Sequence, residues 1–213
     1  MTTIEAVAVL FGLLCVALTI RQSIWCWPTG LIQVSLFILI FYEVKLYSDL
    51  ILHVVYVVLQ VYGWHHWLHG GTNHQELAVS RLSVRGFLGW ILITLTGTTV
   101  WGFGMASYTD AALPYGDAFT SVASLVAQWL MTRKRLESWL VWICVDIAAI
   151  GIYLIKSLVL TSSLYAVFLV MASIGFLSWR NTMVIRSKDP LPDEDRINSG
   201  QICPSSPGTS AVD

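Results

Sequence analysis

The chain has 213 residues, of which 56% are hydrophobic and only 12% carry a charge. A soluble domain carries about 25% charged residues, so this composition excludes an ordinary soluble protein and indicates an integral membrane protein in a lipid bilayer. The formal net charge is −1, and the chain has no basic stripe that would indicate a nucleic-acid partner.

Seven apolar segments are long enough to cross a bilayer as helices, which takes about 17–25 residues each. The first segment has no basic stretch before it and no small-residue cleavage site after it, so we expect a retained helix rather than a signal peptide. The seven predicted spans cover residues 4–20, 24–43, 47–68, 86–106, 116–132, 138–156 and 159–179.

The basic residues divide unequally between the two sides of the membrane that this span count defines. Only Lys45 and Lys156 fall on one side. Because positive charge accumulates on the cytoplasmic side, the N-terminus is predicted outside and the C-terminus in the cytoplasm. The other ten basic residues would then be cytoplasmic: Arg21, Arg81, Arg85, Arg133, Lys134, Arg135, Arg180, Arg186, Lys188 and Arg196.

A weak internal repeat relates the first three spans to the last three. The motif Gly63-x-x-x-Trp67 ends the third span, and the same motif, Gly175-x-x-x-Trp179, ends the seventh. An odd connector span between two triplets makes both enter the membrane in the same direction. The predicted fold is therefore all-α, with seven transmembrane helices as two parallel three-helix bundles (1–3 and 5–7) joined by connector helix 4. Some transporters of this design bind substrate between the halves.

This organisation divides the chain into four parts. Residues 1–70 form the first bundle, 71–107 a cytoplasmic loop and the connector helix, and 108–180 the second bundle. Residues 181–213 are polar and Pro-rich without apolar periodicity, so this cytoplasmic tail is predicted to be disordered. The ATP-binding pattern G-x-x-x-x-G-K-[ST] does not occur, so we do not expect this chain to consume ATP.

Asp146 is the most informative residue, because it places a formal charge inside the apolar run from 139 to 155. On a helix, Trp139, Trp142 and Asp146 fall within about 60° of one another, so two indoles and a carboxylate share a face. A charge at this depth costs several kcal/mol and usually faces a cavity on a substrate path. Two Trp faces beside a carboxylate suit a flat cationic ligand. The alternative is an Asp that pairs with a neighbouring helix to fix packing.

Other polar side chains within the spans are candidates for the same path. The third span carries one continuous face with His53, Tyr56 and Gln60, while Gln33 lies in the second span and Gln128 in the fifth. These groups could bind sugar hydroxyls or a carboxamide. The alternative for each is an interhelical hydrogen bond worth about 0.6 kcal/mol.

No arrangement of residues predicts catalysis, a cofactor or a metal. The sequence has no catalytic triad order and no dinucleotide-binding fingerprint, so an enzyme is not expected. His65-His66-x-x-His69, with His74 nearby, lacks a Glu or Cys partner, and we interpret it as a solvated cluster at the membrane surface rather than a metal site. The four cysteines are too scattered for a disulfide framework or a zinc site.

Several segments over roughly residues 4–180 together resemble the PnuC family of vitamin transporters. The resemblance is strongest at residues 137–146, where the family pattern W-x-x-W-x-x-x-N/D falls on Trp139, Trp142 and Asp146. The other matching stretches are Trp27-Pro-x-Gly30-Leu-Ile-Gln33, Leu46-Tyr47-x-Asp49, Tyr62-Gly63-Trp64-x-x-Trp67, Asp117-Ala-Phe-Thr, Ala127-Gln128-Trp129-Leu-Met-Thr-Arg-Lys134, Leu164-Tyr165 and Gly175-x-x-x-Trp179.

The resemblance implies ATP-independent facilitated diffusion of a vitamin across the bacterial inner membrane. The best-known substrate of the family is nicotinamide riboside, which a cytoplasmic kinase phosphorylates and traps for pyridine nucleotide biosynthesis. It also implies that Trp139, Trp142 and Asp146 contact the substrate.

The substrate, the functional class and the oligomeric state stay open at this point. Position 146 is Asp where many relatives have Asn, and position 53 is His where Gln is expected. A full negative charge also suits thiamine, so a thiamine or riboflavin transporter of the same family is an alternative. A non-transporting membrane receptor or scaffold is the alternative from another class. The sequence also leaves open whether the protein forms a homo-oligomer.

Overall fold

A computed structural model describes residues 3–43, 45, 47–71, 77–109 and 112–188. The described residues form seven helices, which confirms the predicted count and the all-α class. Among the described residues, Ser80 and Arg135 form one isolated parallel β-bridge. The helices are α1 (Thr3–Ile20), α2 (Cys26–Glu43), α3 (Tyr47–His69), α4 (Val84–Tyr108), α5 (Pro114–Thr132), α6 (Glu137–Ile155) and α7 (Val159–Lys188).

Five of these helices are both long enough and apolar enough to cross a membrane: α1, α2, α4, α6 and α7. Helices α3 and α5 have 23 and 19 residues, so their length also suffices. They are less apolar because α3 carries the candidate polar face and α5 carries Ser121, Ser124 and Gln128. The orientation of the bundle in the membrane stays a prediction.

The two triplets, α1–α3 and α5–α7, have left-handed residues at matching positions, at the offset that takes Gly63 to Gly175. Among the described residues, four that are not glycine have a positive φ, namely Gln22 (56°), Lys45 (61°), Lys134 (51°) and Ser157 (59°). They follow equivalent helices. Gln22 and Lys134 occupy matching positions after α1 and α5, and Lys45 and Ser157 occupy matching positions after α2 and α6. The left-handed conformation costs a side-chain-bearing residue roughly 1–2 kcal/mol. Its recurrence at this spacing therefore supports the predicted repeat.

The tryptophans of the repeat pack in the same way in both triplets. The Trp27 ring lies against Gly63, and the Trp139 ring lies against Gly175, where an added Cβ would overlap the indole. Trp27 meets Trp67 edge-on at 5.2 Å between ring centroids, and Trp139 meets Trp179 edge-on at 5.5 Å. Glycine is needed at these two positions because the indole occupies the space of a side chain.

The triplets join through two equivalent contacts, α1 with α7 and α3 with α5. The Nε1 of Trp67 donates to the Met131 carbonyl at 3.0 Å, and the Nε1 of Trp179 donates to the Thr19 carbonyl at 3.1 Å. Trp67 and Trp179 also approach to 5.9 Å between ring centroids. Four buried indoles thus form one tryptophan chain across the interface, in the order Trp27, Trp67, Trp179 and Trp139.

The loop before α4 connects the triplets at the same end of the bundle. The Leu77 amide donates to the Trp67 carbonyl at 3.1 Å, while the Ser80 amide donates to the Lys134 carbonyl at 3.1 Å. The Leu82 amide donates to a carboxylate oxygen of Glu137 at 3.0 Å. The loop is therefore hydrogen-bonded to α3 near its start, and to the α5–α6 turn and the first residue of α6 near its end.

The end of α7 differs from the predicted domain boundary at residue 180. The helix continues to Lys188 because no proline interrupts it before Pro190. Met183 in this extension packs against the tryptophan core. The rest of the predicted tail, residues 189–213, lies outside the described residues.

Candidate functional site

Asp146 on α6 is buried, with 3% of its surface exposed. Among the described residues, no hydrogen bond or ion pair of its carboxylate is seen. A packing role for Asp146 would require a partner on a neighbouring helix. A buried ionisable group without one is instead a candidate for contact with a ligand.

The structure places Trp139 and Trp142 on the same helix as Asp146 but in different surroundings. Trp139 is 2% exposed and its ring is part of the tryptophan chain. Its Nε1 has no hydrogen-bond partner in the described structure. Trp142 is half-buried and packs against the edge of the same core. Trp139 therefore offers an unused N–H donor, while Trp142 offers a more accessible aromatic face.

Two tyrosines that were not predicted as site residues stack on each other between α6 and α7. Tyr165 on α7 and Tyr153 on α6 lie 5.3 Å apart between ring centroids. In the first triplet, Tyr56 on α3 meets His53 edge-on at 5.6 Å. Tyr165 is the repeat equivalent of His53, so applying the repeat offset to the polar face of α3 would have found it.

The candidate amides of the first triplet are packed between helices. The Gln60 amide, 8% exposed on α3, lies against Gly30 of α2, and the Gln33 amide lies against Gly12 of α1. Small residues on the facing helices make room for both side chains. Their role as substrate ligands stays a prediction.

His53 and Gln128 also occupy defined positions. The Nδ1 of His53 is 2.9 Å from the Asp49 carbonyl one turn earlier, and its ring meets Phe41 at 4.8 Å between centroids. Gln128 is half-buried on α5, one turn after Ser124. Neither side chain bonds to Asp146, and a role in substrate binding stays a prediction for both.

The histidine cluster at the end of α3 is engaged in ring stacking. His65 stacks on His69 at 4.8 Å, and His66 stacks on Tyr62 at 5.5 Å. Among the described residues, no three His, Cys, Asp or Glu side chains are grouped in a way that could hold a metal ion. His74 lies outside these residues.

Comparison with known proteins identifies the family. The model of the nicotinamide mononucleotide transporter family matches residues 2–181. The chain belongs to this family, the PnuC transporters. It is 30% identical to the nicotinamide riboside transporter PnuC of Escherichia coli, over 84% of this chain and 85% of that one. The PnuC of Neisseria mucosa is 31% identical, over 83% of this chain and 71% of that one.

Two further likenesses define what the family covers. The riboflavin/roseoflavin transporter RibM of Streptomyces davaonensis is 25% identical, over 82% of this chain and 83% of that one. A crystal structure of the vitamin B3 transporter PnuC matches with a TM-score of 0.65 at 30% identity, over 84% of this chain and 80% of that one. The chain is thus a multi-pass vitamin transporter of the bacterial inner membrane and not an enzyme.

Proposed function

We propose that this chain takes up nicotinamide riboside and that the substrate binds beside Asp146. The observation that carries the proposal is the buried carboxylate without a protein partner among the described residues. Nicotinamide riboside contains a permanently positive pyridinium ring, which would neutralise this charge. Relatives named as nicotinamide riboside transporters support the choice.

The proposed site uses one face of α6 and the neighbouring helices. Trp142 covers the cationic ring, an interaction worth about 2 kcal/mol or more where water is excluded. The free N–H of Trp139 lies two helical turns from Asp146, about 10 Å along the axis. This span suits a ring, a sugar and a carboxamide in one ligand. Gln33, His53, Gln60 and Gln128 are the further ligand candidates on α2, α3 and α5.

We also propose that transport is facilitated diffusion without ATP. A site of this kind equilibrates the substrate across the membrane and cannot concentrate it alone. A cytoplasmic kinase that phosphorylates the riboside would keep its free concentration low inside, so that net flow is inward and feeds pyridine nucleotide synthesis.

Thiamine is the second candidate, because its thiazolium ring is also permanently positive and would also neutralise Asp146. Riboflavin is neutral, so the buried carboxylate gives it no such advantage, although one relative transports it by name. The charge of the ligand therefore separates these substrates.

Calorimetric titration of the purified protein in detergent tests the proposal, with nicotinamide riboside, thiamine and riboflavin as ligands. We expect micromolar or tighter binding of the riboside and at least tenfold weaker binding of the other two. Tight binding of thiamine alone would assign the chain to that substrate. Folded protein that binds none of the three would contradict the proposed site.

A further inference from the structure

The tryptophan chain lies between Asp146 and the end of the bundle that is predicted to be cytoplasmic. Trp139 precedes Asp146 by two helical turns on α6, towards the end at which this helix begins. From Trp139 the chain crosses the triplet interface through Trp179 and Trp67 to Trp27, and each indole is at most 3% exposed. A ligand beside Asp146 could leave between the triplets at this end only if the rings moved apart.

Hydrogen bonds join the triplets at the same end. In addition to the two indole bonds described above, the Nε2 of Gln22 donates to the Thr182 hydroxyl at 3.3 Å. The Ser178 hydroxyl donates to the Ile20 carbonyl at 3.5 Å. In the described part of the chain, the hydrogen bonds within 3.5 Å that join the triplets all lie at this end. The contact of Gln22 with Thr182 is called the latch below.

The loop before α4 strengthens this closure. It is continuous with the end of α3, in the first triplet, and it bonds to the α5–α6 turn of the second triplet. The Leu136 amide donates to the Ser80 carbonyl at 3.0 Å, and the guanidinium of Arg135 donates to the Arg81 carbonyl at 2.9 Å. These bonds cross the interface outside the tryptophan chain.

A cavity of about 150 Å³ lies beside the latch, lined by Gln22, Thr182 and residues 77–79 among others. A space of this size has room for water. A hydrogen bond that water can replace contributes little net stability, because its groups find new partners when it breaks. The polar contacts outside the tryptophan chain can therefore break and re-form readily.

At the opposite end of the bundle, the polar contacts of the described residues stay within one triplet. Lys156, after α6, pairs with Asp117 on α5 at 2.9 Å. The Ser162 hydroxyl on α7 donates to the Ile150 carbonyl on α6 at 3.4 Å. The two ends therefore differ in how firmly polar bonds hold the triplets together.

We infer that the tryptophan chain is the cytoplasmic gate of the transport path and that the latch keeps this gate shut. The structure is then the state that is closed towards the cytoplasm. Rocking of one repeat against the other about a fixed site gives repeat transporters alternating access. Here the triplets separate at the latch to release the ligand. The inference rests on the proposed site at Asp146 and holds for any ligand that binds there.

A reducible cross-link across the latch tests this inference. Cys144 and Cys203 are first replaced by Ala, and Gln22→Cys and Thr182→Cys are then joined by a short bis-methanethiosulfonate reagent. Uptake of nicotinamide riboside by proteoliposomes should fall about tenfold or more on cross-linking and recover when the link is reduced. Calorimetric binding of the riboside should change less than twofold, because the site remains reachable from the opposite end.

Asp117→Cys with Lys156→Cys is the matched control, because this pair lies within the second triplet at the opposite end. Its cross-link should leave uptake within twofold. Undiminished uptake through the cross-linked latch would overturn the inference. An equal loss of uptake in both cross-linked proteins would also overturn it.

A measurement without ligand separates the gate from the identity of the substrate. Asp146→Cys reports access to the site, through the rate at which a membrane-impermeant maleimide on the cytoplasmic side modifies the thiol. Removing the latch with Gln22→Ala and Thr182→Val should raise this rate about threefold or more, as for the loss of one solvated hydrogen bond. Asp117→Asn should leave the rate unchanged.

An unchanged labelling rate without the latch would contradict the gate. If labelling accelerates as expected while the unmodified protein takes up no riboside, the proposed substrate is wrong and the gate stands.

Discussion

The first and second triplets place a tryptophan at the same point, Trp27 against Gly63 and Trp139 against Gly175. Two helical turns further along, the first triplet has Val34 and the second has Asp146, both buried. The scaffold is thus shared, whereas the buried charge belongs to one triplet alone. The comparison indicates that symmetry supplies the fold and that departures from symmetry mark the ligand site.

A second departure exchanges large and small side chains. In the first triplet, Gly30 on α2 receives the amide of Gln60 on α3. The equivalent positions of the second triplet hold Trp142 on α6 and Ala172 on α7. Each pair combines one large residue with one small one, so the helix spacing can be kept while the large side chain changes helix. The exchange brings an indole to the same helix as Asp146.

Exchanging the buried charge between triplets should have the largest effect on stability. Val34→Asp places a carboxylate where the first triplet has an apolar core position, which should cost about 3 kcal/mol of unfolding free energy. Asp146→Val removes an unpartnered buried charge and should not lower stability. Thermal unfolding of the ligand-free protein in detergent measures both. Equal destabilisation by the two variants would mean that Asp146 is a packing residue.

Filling the space beside the paired tryptophans should damage both triplets alike. Gly63→Ala and Gly175→Ala would each force an indole to move, and overpacking of this kind costs about 1–3 kcal/mol. Gly151→Ala is the control, since a Cβ there meets nothing within 4 Å. Thermal unfolding should show two destabilised variants and a control that is unchanged or more stable. A loss in one triplet only would contradict the equivalence of the two packings.

Removing the indole N–H group should lower the free energy of unfolding more at the two interface tryptophans than at the other two. Trp67→Phe and Trp179→Phe each lose a hydrogen bond between triplets, whereas Trp27→Phe and Trp139→Phe remove an N–H that has no partner in the described structure. All four shrink the ring, so the difference between the pairs should be about 1 kcal/mol. Unfolding midpoints that fall equally in all four variants would show that these hydrogen bonds contribute nothing measurable.

Breaking the ion pair of the second triplet should change the free energy of unfolding least. Lys156 donates to Asp117 at 2.9 Å, and both side chains are partly exposed. Asp117→Asn should therefore cost less than about 1 kcal/mol, because such pairs gain little in a solvated setting. The cost should shrink further when unfolding is repeated in high salt. A large effect that is independent of salt would show that the pair is not solvated.

The helices were predictable from the sequence because apolar runs of spanning length and the asymmetry of basic residues are strong signals. Helix α7 extends past the predicted boundary at residue 180, to Lys188, because polar side chains alone do not end a helix and no proline follows residue 180 before Pro190. A helix end depends on backbone breakers more than on the polarity of its side chains.

The candidate site was predictable only in part. Helical spacing alone brings Trp139, Trp142 and Asp146 to one face. It does not predict that the Trp139 ring packs against Gly175 and Trp179 on α7. Likewise, the pattern marked Gln33 and Gln60 as polar without showing that each is accommodated by a glycine on a neighbouring helix. Contacts between helices depend on their relative rotation, which local sequence does not encode.

The most direct test of the central claim is whether the Asp146 charge selects a cationic ligand. Calorimetry would compare nicotinamide riboside with its uncharged 1,4-dihydro form, in the unmodified protein and in Asp146→Asn. The account predicts that the unmodified protein prefers the cation by about tenfold or more and that the variant loses this preference. Because the ring also changes shape on reduction, the difference between the two proteins is the decisive quantity. An equal preference in both would contradict a substrate site at Asp146.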